Sequence, residues 1–243
     1  MFKKDLLGCS PNRKMLKEYK AQFTKLTKTQ KDVAMGLILG DAYTYTRNNS
    51  KSHAMKFEWG YKSKEYIDHV YSMYEDWMLK PPYLMTRINK NNNEVKTWRM
   101  ETLTGIPFNI LGELFIMNKK KHMKINTIKD HTTAMGLAHW DMDDGNRCYY
   151  KGPMFNKDMS VVINTQGFEM EEVKILMKEL NEKFNLNSYL SFNKKKPMIY
   201  IPNKDYDKFY NIMNPFMPHF WWGIPTTRVG TMDSMRYKLP FKK

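Results

Sequence analysis

The chain is poor in several things, and each scarcity removes a class of protein. It has two cysteines in 243 residues, Cys9 and Cys148. They cannot build a disulfide framework or a four-ligand zinc site, and neither has another Cys or a His at ligand spacing. A reducing compartment is therefore expected. Long apolar runs are missing as well: the longest, Val33 to Leu39, falls far short of the roughly 20 residues of a spanning helix, and the mean hydropathy is −0.67. We expect a soluble protein with no membrane partner. Acidic residues are scarce, 25 Asp+Glu against 40 Lys+Arg, which leaves a formal charge of +15. That is the balance of a nucleic-acid binder. The opening stretch MFKKDLLGCSPNRK shows neither the apolar segment of a secretory signal nor the Arg/Ser-rich character of an import sequence. Either no import is needed or the signal lies outside this sequence.

What is present is enough to fold. Hydrophobic residues make up 42% and aromatics 14%, sufficient for one large domain or two of roughly 100–150 residues, and disorder throughout is excluded. The basic residues comprise 33 Lys and 7 Arg, and there are 21 Met. Lys, Asn, Tyr, Ile and, in several mitochondrial codes, Met have A/T-rich codons, which points to an organelle genome. Methionine as a filler of irregular core gaps is the alternative.

A long, weak repeat organises the chain. A helical segment from Thr29 to Asp41, with Thr29 and Asp32 in capping-box spacing, is matched by a second from Thr132 to Asp144. Each is apolar over about three turns and ends in an aspartate followed by a small residue, and the aspartates lie 144 − 41 = 103 residues apart. Two strand-like runs, an amphipathic helix, two more strand-like runs and a short helix follow each motif. This predicts an α+β fold of two αββαββα halves, residues 1–125 with an N-terminal extension and residues 126–243. Each half has a four-stranded antiparallel sheet with helices on one face. The other face is open, and Arg47, Lys56, Arg87, Lys96, Asn193 and Lys194 are expected to collect there. For a single lysine an ordinary solvated strand face is the plain alternative.

GLILGDA from Gly36 and LAHWDMDDG from Leu137 resemble the paired motifs of the LAGLIDADG homing endonucleases, in the single-chain two-motif form. The segments SPNRKMLKEYKAQF, KFEW, LFIM followed by lysines, NTQ, NKKKP, IYI and YKLP are similar, in order and over nearly the whole chain, to mitochondrial intron-encoded members of that family in yeast. The main departure is a longer stretch, HFWWGIPTTRVGTMDSM, before Tyr237 and Lys238. The resemblance implies two pseudo-symmetric halves whose motif helices pack at the centre with converging aspartates, and sheets that form a saddle on the major groove of a long asymmetric site. Gly36 and Gly40 share a helix face on which two backbones can approach. The second motif has His139 and Asp143 at the matching places, which makes the halves unequal.

Cutting a duplex needs in-line attack of water on a phosphodiester, and divalent metal answers the charge that builds on both oxygens. Mg²⁺ is served by one or two carboxylates plus phosphate oxygens; Mn²⁺ or Ca²⁺ can stand in for it in a crystal. Asp41 and Asp144 are the expected ligands and catalytic residues. By the resemblance the carbonyls of Gly40 and Asp143 assist, although the Asp143 carboxylate competes with its neighbour for the ligand role. Asp141 is read as a surface or interface charge. The resemblance also assigns Lys121 and Lys238 to the two active sites, as point charges on phosphate or water; for Lys121, beside Lys119 and Lys120, a purely electrostatic role stays open. DNA contacts are expected from Arg47, Lys56, Arg87, Lys96, Lys119, Lys120, Arg147, Asn193, Lys194 and Lys196, with Tyr45, Glu58, Trp98, Tyr149 and Tyr200 on the same strands, and by resemblance from Asn12 and Lys17. The expected partner is double-stranded DNA, bound by a monomer made inside the mitochondrion. A maturase that helps its own intron RNA fold, and a DNA-binding protein without catalysis, are the alternatives.

Overall fold

The computed structural model describes residues 3–7, 14–46, 52–117, 120–151 and 157–218. Asn12, Arg47, Lys119, Lys238 and the longer stretch before it lie outside the described residues, as does the side chain of Tyr149. The chain folds into two compact units, Met1–Lys31 with Asp41–Glu113, and Asp32–Gly40 with Leu114–Lys243. The division passes through the first motif helix, so most of that helix is built into the second unit.

In the first unit, α1 (Lys14–Ala21) and the opening turn of α2 (Lys28–Leu39) precede β1 (Tyr43–Thr46), β2 (His53–Gly60), α3 (Lys64–Tyr74), β3 (Tyr83–Ile88), β4 (Glu94–Glu101) and α4 (Asn109–Phe115), which runs into the second unit. The sheet is antiparallel in the order β1-β2-β4-β3. From Met55 onward β2 alternates: Met55, Phe57 and Trp59 are buried, whereas Lys56 and Glu58 face the other way. The Trp59 ring meets Tyr66 of α3 edge-on at 5.0 Å, and burying each such side chain contributes about 1.5–3 kcal/mol.

The start of α2 differs from the expectation. Thr27 Oγ1 accepts from the Gln30 N–H at 3.1 Å and Gln30 Oε1 accepts from the Thr27 N–H at 3.0 Å. The reciprocal box lies two residues before the Thr29–Asp32 pair, because Gln30 supplies the side-chain acceptor that the N-terminal amides need.

The second unit carries the rest of α2 and a two-residue hairpin, β5 (Ile116–Met117) and β6 (Lys120–Lys121), that periodicity did not reveal. There follow α5 (Ala134–Asp144), β7 (Gly145–Lys151), β8 (Lys157–Ile163), α6 (Met170–Phe184), β9 (Tyr189–Asn193), β10 (Lys196–Ile201) and α7 (Asn203–Met213). Its sheet order, β7-β8-β10-β9, repeats that of the first. On α6 the expected apolar face includes two buried carboxylates, Glu172 and Glu179. Glu179 accepts from the backbone N–H groups of Asn126, Ile128 and Lys129, at 2.5, 2.8 and 3.2 Å. Glu172 accepts from that of Met123 at 3.0 Å. These amides belong to the segment before α5, which includes a π-helical turn over Thr127–His131, and the carboxylates satisfy donors at its start.

Candidate active site and nucleic-acid interface

Within the second unit the two motif helices meet backbone to backbone. A Cβ on Gly36 would stand 2.0 Å from the carbonyl oxygen of Gly136 and 3.0 Å from the Cβ of His139, and one on Gly40 would stand 2.4 Å from the Cβ of Asp143. The inequality noted in the sequence is thus absorbed pairwise, since glycine on α2 faces the larger residue on α5. Both helices are buried all round, Val33–Leu39 on one and Gly136–Asp143 on the other, as expected for helices without a polar stripe. Gly40 and Asp143 lie side by side, and the next residue along the chain from each is an aspartate, Asp41 or Asp144.

Lys121 sits at the end of α2. Its Nζ donates to the carbonyls of Leu39 at 3.1 Å and Gly40 at 2.7 Å and lies 4.8 Å from the centre of the Phe168 ring. A cation here offsets the negative end of the helix and satisfies carbonyls that lack intrahelical partners. On α5 the carbonyl of Asp144 accepts from the backbone N–H of Asn164 at 3.0 Å and its side-chain amide at 2.9 Å. Asp41 is exposed, Asp144 half-buried and Asp143 buried. The available donors are carboxylate and carbonyl oxygens, hard ligands suited to Mg²⁺. Among the described residues no group of three His, Cys, Asp or Glu side chains could cage a metal. A cation that shares one or two carboxylates with phosphate oxygens fits this set; a structural zinc does not.

Asp141 departs from the sequence reading. It is buried, 2% exposed, and its carboxylate receives the guanidinium of Arg147, itself 5% exposed, through NH1 at 2.9 Å and through NH2. The pair corrects both expectations: Asp141 is no surface charge, and Arg147 points into the unit instead of towards DNA. The strand register gives the reason. Arg147 lies opposite Val161 and shares the inner face with Ile163 and Ile199.

Register also divides the remaining candidates. On the open face of the first sheet stand Tyr45, Lys56, Glu58 and Arg87, with Arg99 and Glu101, which sequence reasoning missed. Glu58 takes Arg87 at 3.2 Å, Arg99 at 2.8 Å and the Thr97 hydroxyl at 3.0 Å, and the Tyr45 hydroxyl donates to Glu101 at 2.6 Å. Burial works to raise the Glu58 carboxyl, but hydrogen bonds from Arg99 and Thr97 and the charges of Arg99 and Arg87 outweigh it and hold its pKa below the usual carboxylate range. Lys96 and Trp98, expected among these residues, occupy the opposite face: Lys96 pairs across from Thr86 and Trp98 from Leu84 and Trp59. Trp98 Nε1 donates to the Tyr61 carbonyl at 3.0 Å, and Lys96 lies 2.8 Å from Glu94.

The open face of the second sheet carries Tyr200, Lys196 and Asn193 as expected, together with Asn146, Cys148, Ser160 and Tyr189. Here the bonding is uncharged. Tyr200 donates to Ser160 at 2.7 Å and its ring lies 4.8 Å from that of Tyr189. Burial pushes the Cys148 thiol up against the lowering effects of Arg147 and Ser160. Lys194 is exposed at the β9–β10 turn, Lys120 is exposed on β6 and Lys17 on α1. Alternation within β4 separates Arg99 from Lys96, which lie three residues apart on that strand; residue type alone could not.

The model of the LAGLIDADG DNA endonuclease family matches residues 31–209 of the chain. A probable intron-encoded endonuclease of Wickerhamomyces canadensis is 44% identical over 239 residues, 98% of this chain and 96% of that protein. A cytochrome b mRNA maturase of Debaryomyces hansenii is 29% identical over 166 residues, 67% of this chain and 60% of that protein. The solved structure of the homing endonuclease I-WcaI bound to its DNA recognition sequence superposes with a TM-score of 0.83 at 44% identity, covering 90% of this chain and 95% of that one. With paired aspartate-ending helices packed glycine to backbone, two antiparallel sheets of one repeated order and a family match across most of its length, the chain belongs to the LAGLIDADG DNA endonuclease family.

Proposed function

We propose that the protein is a site-specific double-strand DNA endonuclease of intron homing, a monomer made in the mitochondrion from an intron-borne gene, that cuts a long asymmetric site with Mg²⁺. The observation that carries the reading is the seating of Gly40 against Asp143, which brings the two chain segments that continue into Asp41 and Asp144 to one end of a tightly packed helix pair. Two strands require two hydrolyses, and two aspartates at matched motif ends supply one carboxylate for each. Asp41 and Asp144 would hold the metal, with the Gly40 and Asp143 carbonyls beside them. When bound there, the cation would lower the pKa of water and offset charge on the phosphate oxygens. Lys121 keeps a positive charge beside the Gly40 carbonyl, where it can orient water or a phosphate oxygen. Charged residues of the first sheet and hydroxyl and amide groups of the second would read base edges, and the exposed lysines would track the backbone.

The test is cleavage of an intron-lacking allele in Mg²⁺. Asp41→Asn and Asp144→Asn should each abolish or strongly reduce double-strand cutting, and wild-type-like cutting by either variant would overturn the assignment. The named maturase among the relatives favours a second reading, assistance in splicing of the protein's own group I intron. The variant carrying both asparagines separates the two: splicing that persists without cleavage supports a dual role.

A further inference from the structure

We propose that the Asp141–Arg147 pair is a positioning device for Asp144, one that the first motif lacks, so that the two strand cleavages are held by different means. The inference rests on the endonuclease reading above.

Asp141 lies one helical turn before Asp144 and Arg147 three residues after it. Their bidentate contact therefore spans the junction between α5 and β7 that carries the candidate ligand. The clasp is tight. A Cβ on Gly145 would stand 2.1 Å from Asp141 Oδ1, and the Gly145 N–H caps the Asp141 carbonyl. From the other side, Asn164 donates twice to the Asp144 carbonyl. The backbone of Asp144 and Gly145 is thus gripped from two directions, which restricts where the Asp144 carboxylate can point. At the same 103-residue offset the first motif has Ile38 and Thr44, both buried and uncharged, and the Thr44 hydroxyl has no hydrogen-bond partner among the described residues.

A buried ion pair often stabilises no better than well-packed apolar residues of similar volume, and the first motif does without charge at both places, with Ile38 and Thr44 there. What bidentate guanidinium–carboxylate pairing adds is fixed direction. Displacing a reacting group by about 1 Å can slow a reaction roughly 100-fold. Loosening the clasp should therefore slow cleavage of the strand that Asp144 serves and spare the strand that Asp41 serves.

The experiment compares the wild type, Arg147→Lys and the double variant Asp141→Ile/Arg147→Thr, which copies the first motif's residues. The substrate is a supercoiled plasmid bearing a duplex recovered by cleavage selection, with each strand end-labelled in a parallel assay. Both variants should bind the duplex in chelator as the wild type does. Both should accumulate nicked circles, with cleavage of one and the same strand reduced at least about 10-fold. In the metal-free protein, amide exchange over residues 144–146 and at Asn164 should accelerate by a similar factor. Should Arg147→Lys not fold, the double variant decides alone, because it removes both charges together and so leaves no unpaired buried ion while abolishing the directional contact. Equal slowing of both strands, unchanged exchange, or a wild-type strand ratio in the double variant would overturn the proposal. A wild type that cuts no duplex at all overturns instead the endonuclease reading beneath it.

Discussion

Lys121 closes the first motif helix from 81 residues further along the chain, its Nζ donating to the Gly40 carbonyl at 2.7 Å. A side chain expected to act on a phosphate is thereby also part of the scaffold, and its two roles can be separated. Lys121→Met should leave the Leu39 and Gly40 carbonyls short of a donor and cost about 1–2 kcal/mol in denaturant unfolding. If the ammonium also acts on the reacting phosphate, the double-strand product falls at least about 10-fold while affinity for the duplex in chelator changes little. A variant of wild-type stability would remove the scaffold role, and one that cuts normally would remove the catalytic one.

The helix crossing tolerates no side chain at Gly36. An added methyl meets the Gly136 carbonyl, which is backbone and cannot rotate away. Gly36→Ala should therefore destabilise the protein by about 3 kcal/mol, despite the better helix propensity of alanine. Equilibrium unfolding with a change below about 0.5 kcal/mol would contradict the packing.

The Glu58 cluster gives the first sheet an acid limit. Because the folded pKa is depressed, the contribution is fully present above the unfolded carboxyl value of about 4.3 and is lost as pH falls through the lower folded value. Glu58→Gln should flatten that part of the melting-temperature profile between pH 5 and pH 3, values on the scale set by that reference pKa. A parallel decline in wild type and variant would argue against the cluster.

Open-face and helix-face basic residues should behave differently toward DNA. Arg87→Ala should weaken duplex binding and lower the slope of log K against log salt by about 1 if the side chain meets phosphate. Lys96→Ala, on the other face, should leave that slope unchanged. Identical salt profiles for the two variants would contradict the division of faces.

The β9–β10 turn places two lysines in the left-handed region, Lys194 at φ 48° and Lys195 at φ 68°. A two-residue turn of this kind favours glycine at its second position, so Lys195→Gly should raise stability by about 1 kcal/mol. Thermal unfolding checks this directly, and a loss of stability would show that Lys195 is held by more than its backbone.

Much of this was legible beforehand. The repeat of 103 residues, the order of helices and strands and the aspartates at the motif ends all follow from hydrophobic periods and local motifs, which act over neighbouring residues. The box at Thr27 and Gln30 was displaced by two residues because several pairs near a helix start can satisfy its amides and local spacing does not rank them. Arginine in a basic chain usually faces outward, which makes Arg147 resemble a DNA contact; its burial depends on a carboxylate six residues back inside the motif. Lys96 and Arg87 looked alike until strand register set them on opposite faces.

The sequence alone fixes which residues are available and in what order: a basic, cysteine-poor chain with two motif-ending aspartates, glycines on the first motif and larger residues at the matching places of the second. Charge, composition and period are properties of the chain, and they survive without a fold. Tertiary structure alone decided which helix fills which gap, that Lys121 ends the first motif, that Asp141 and Arg147 satisfy each other in the interior, and which strand faces stay open. Those outcomes depend on contacts between residues far apart in the chain. Sterics at a glycine crossing and the cost of an unpaired buried charge select one arrangement from many that the sequence pattern allows.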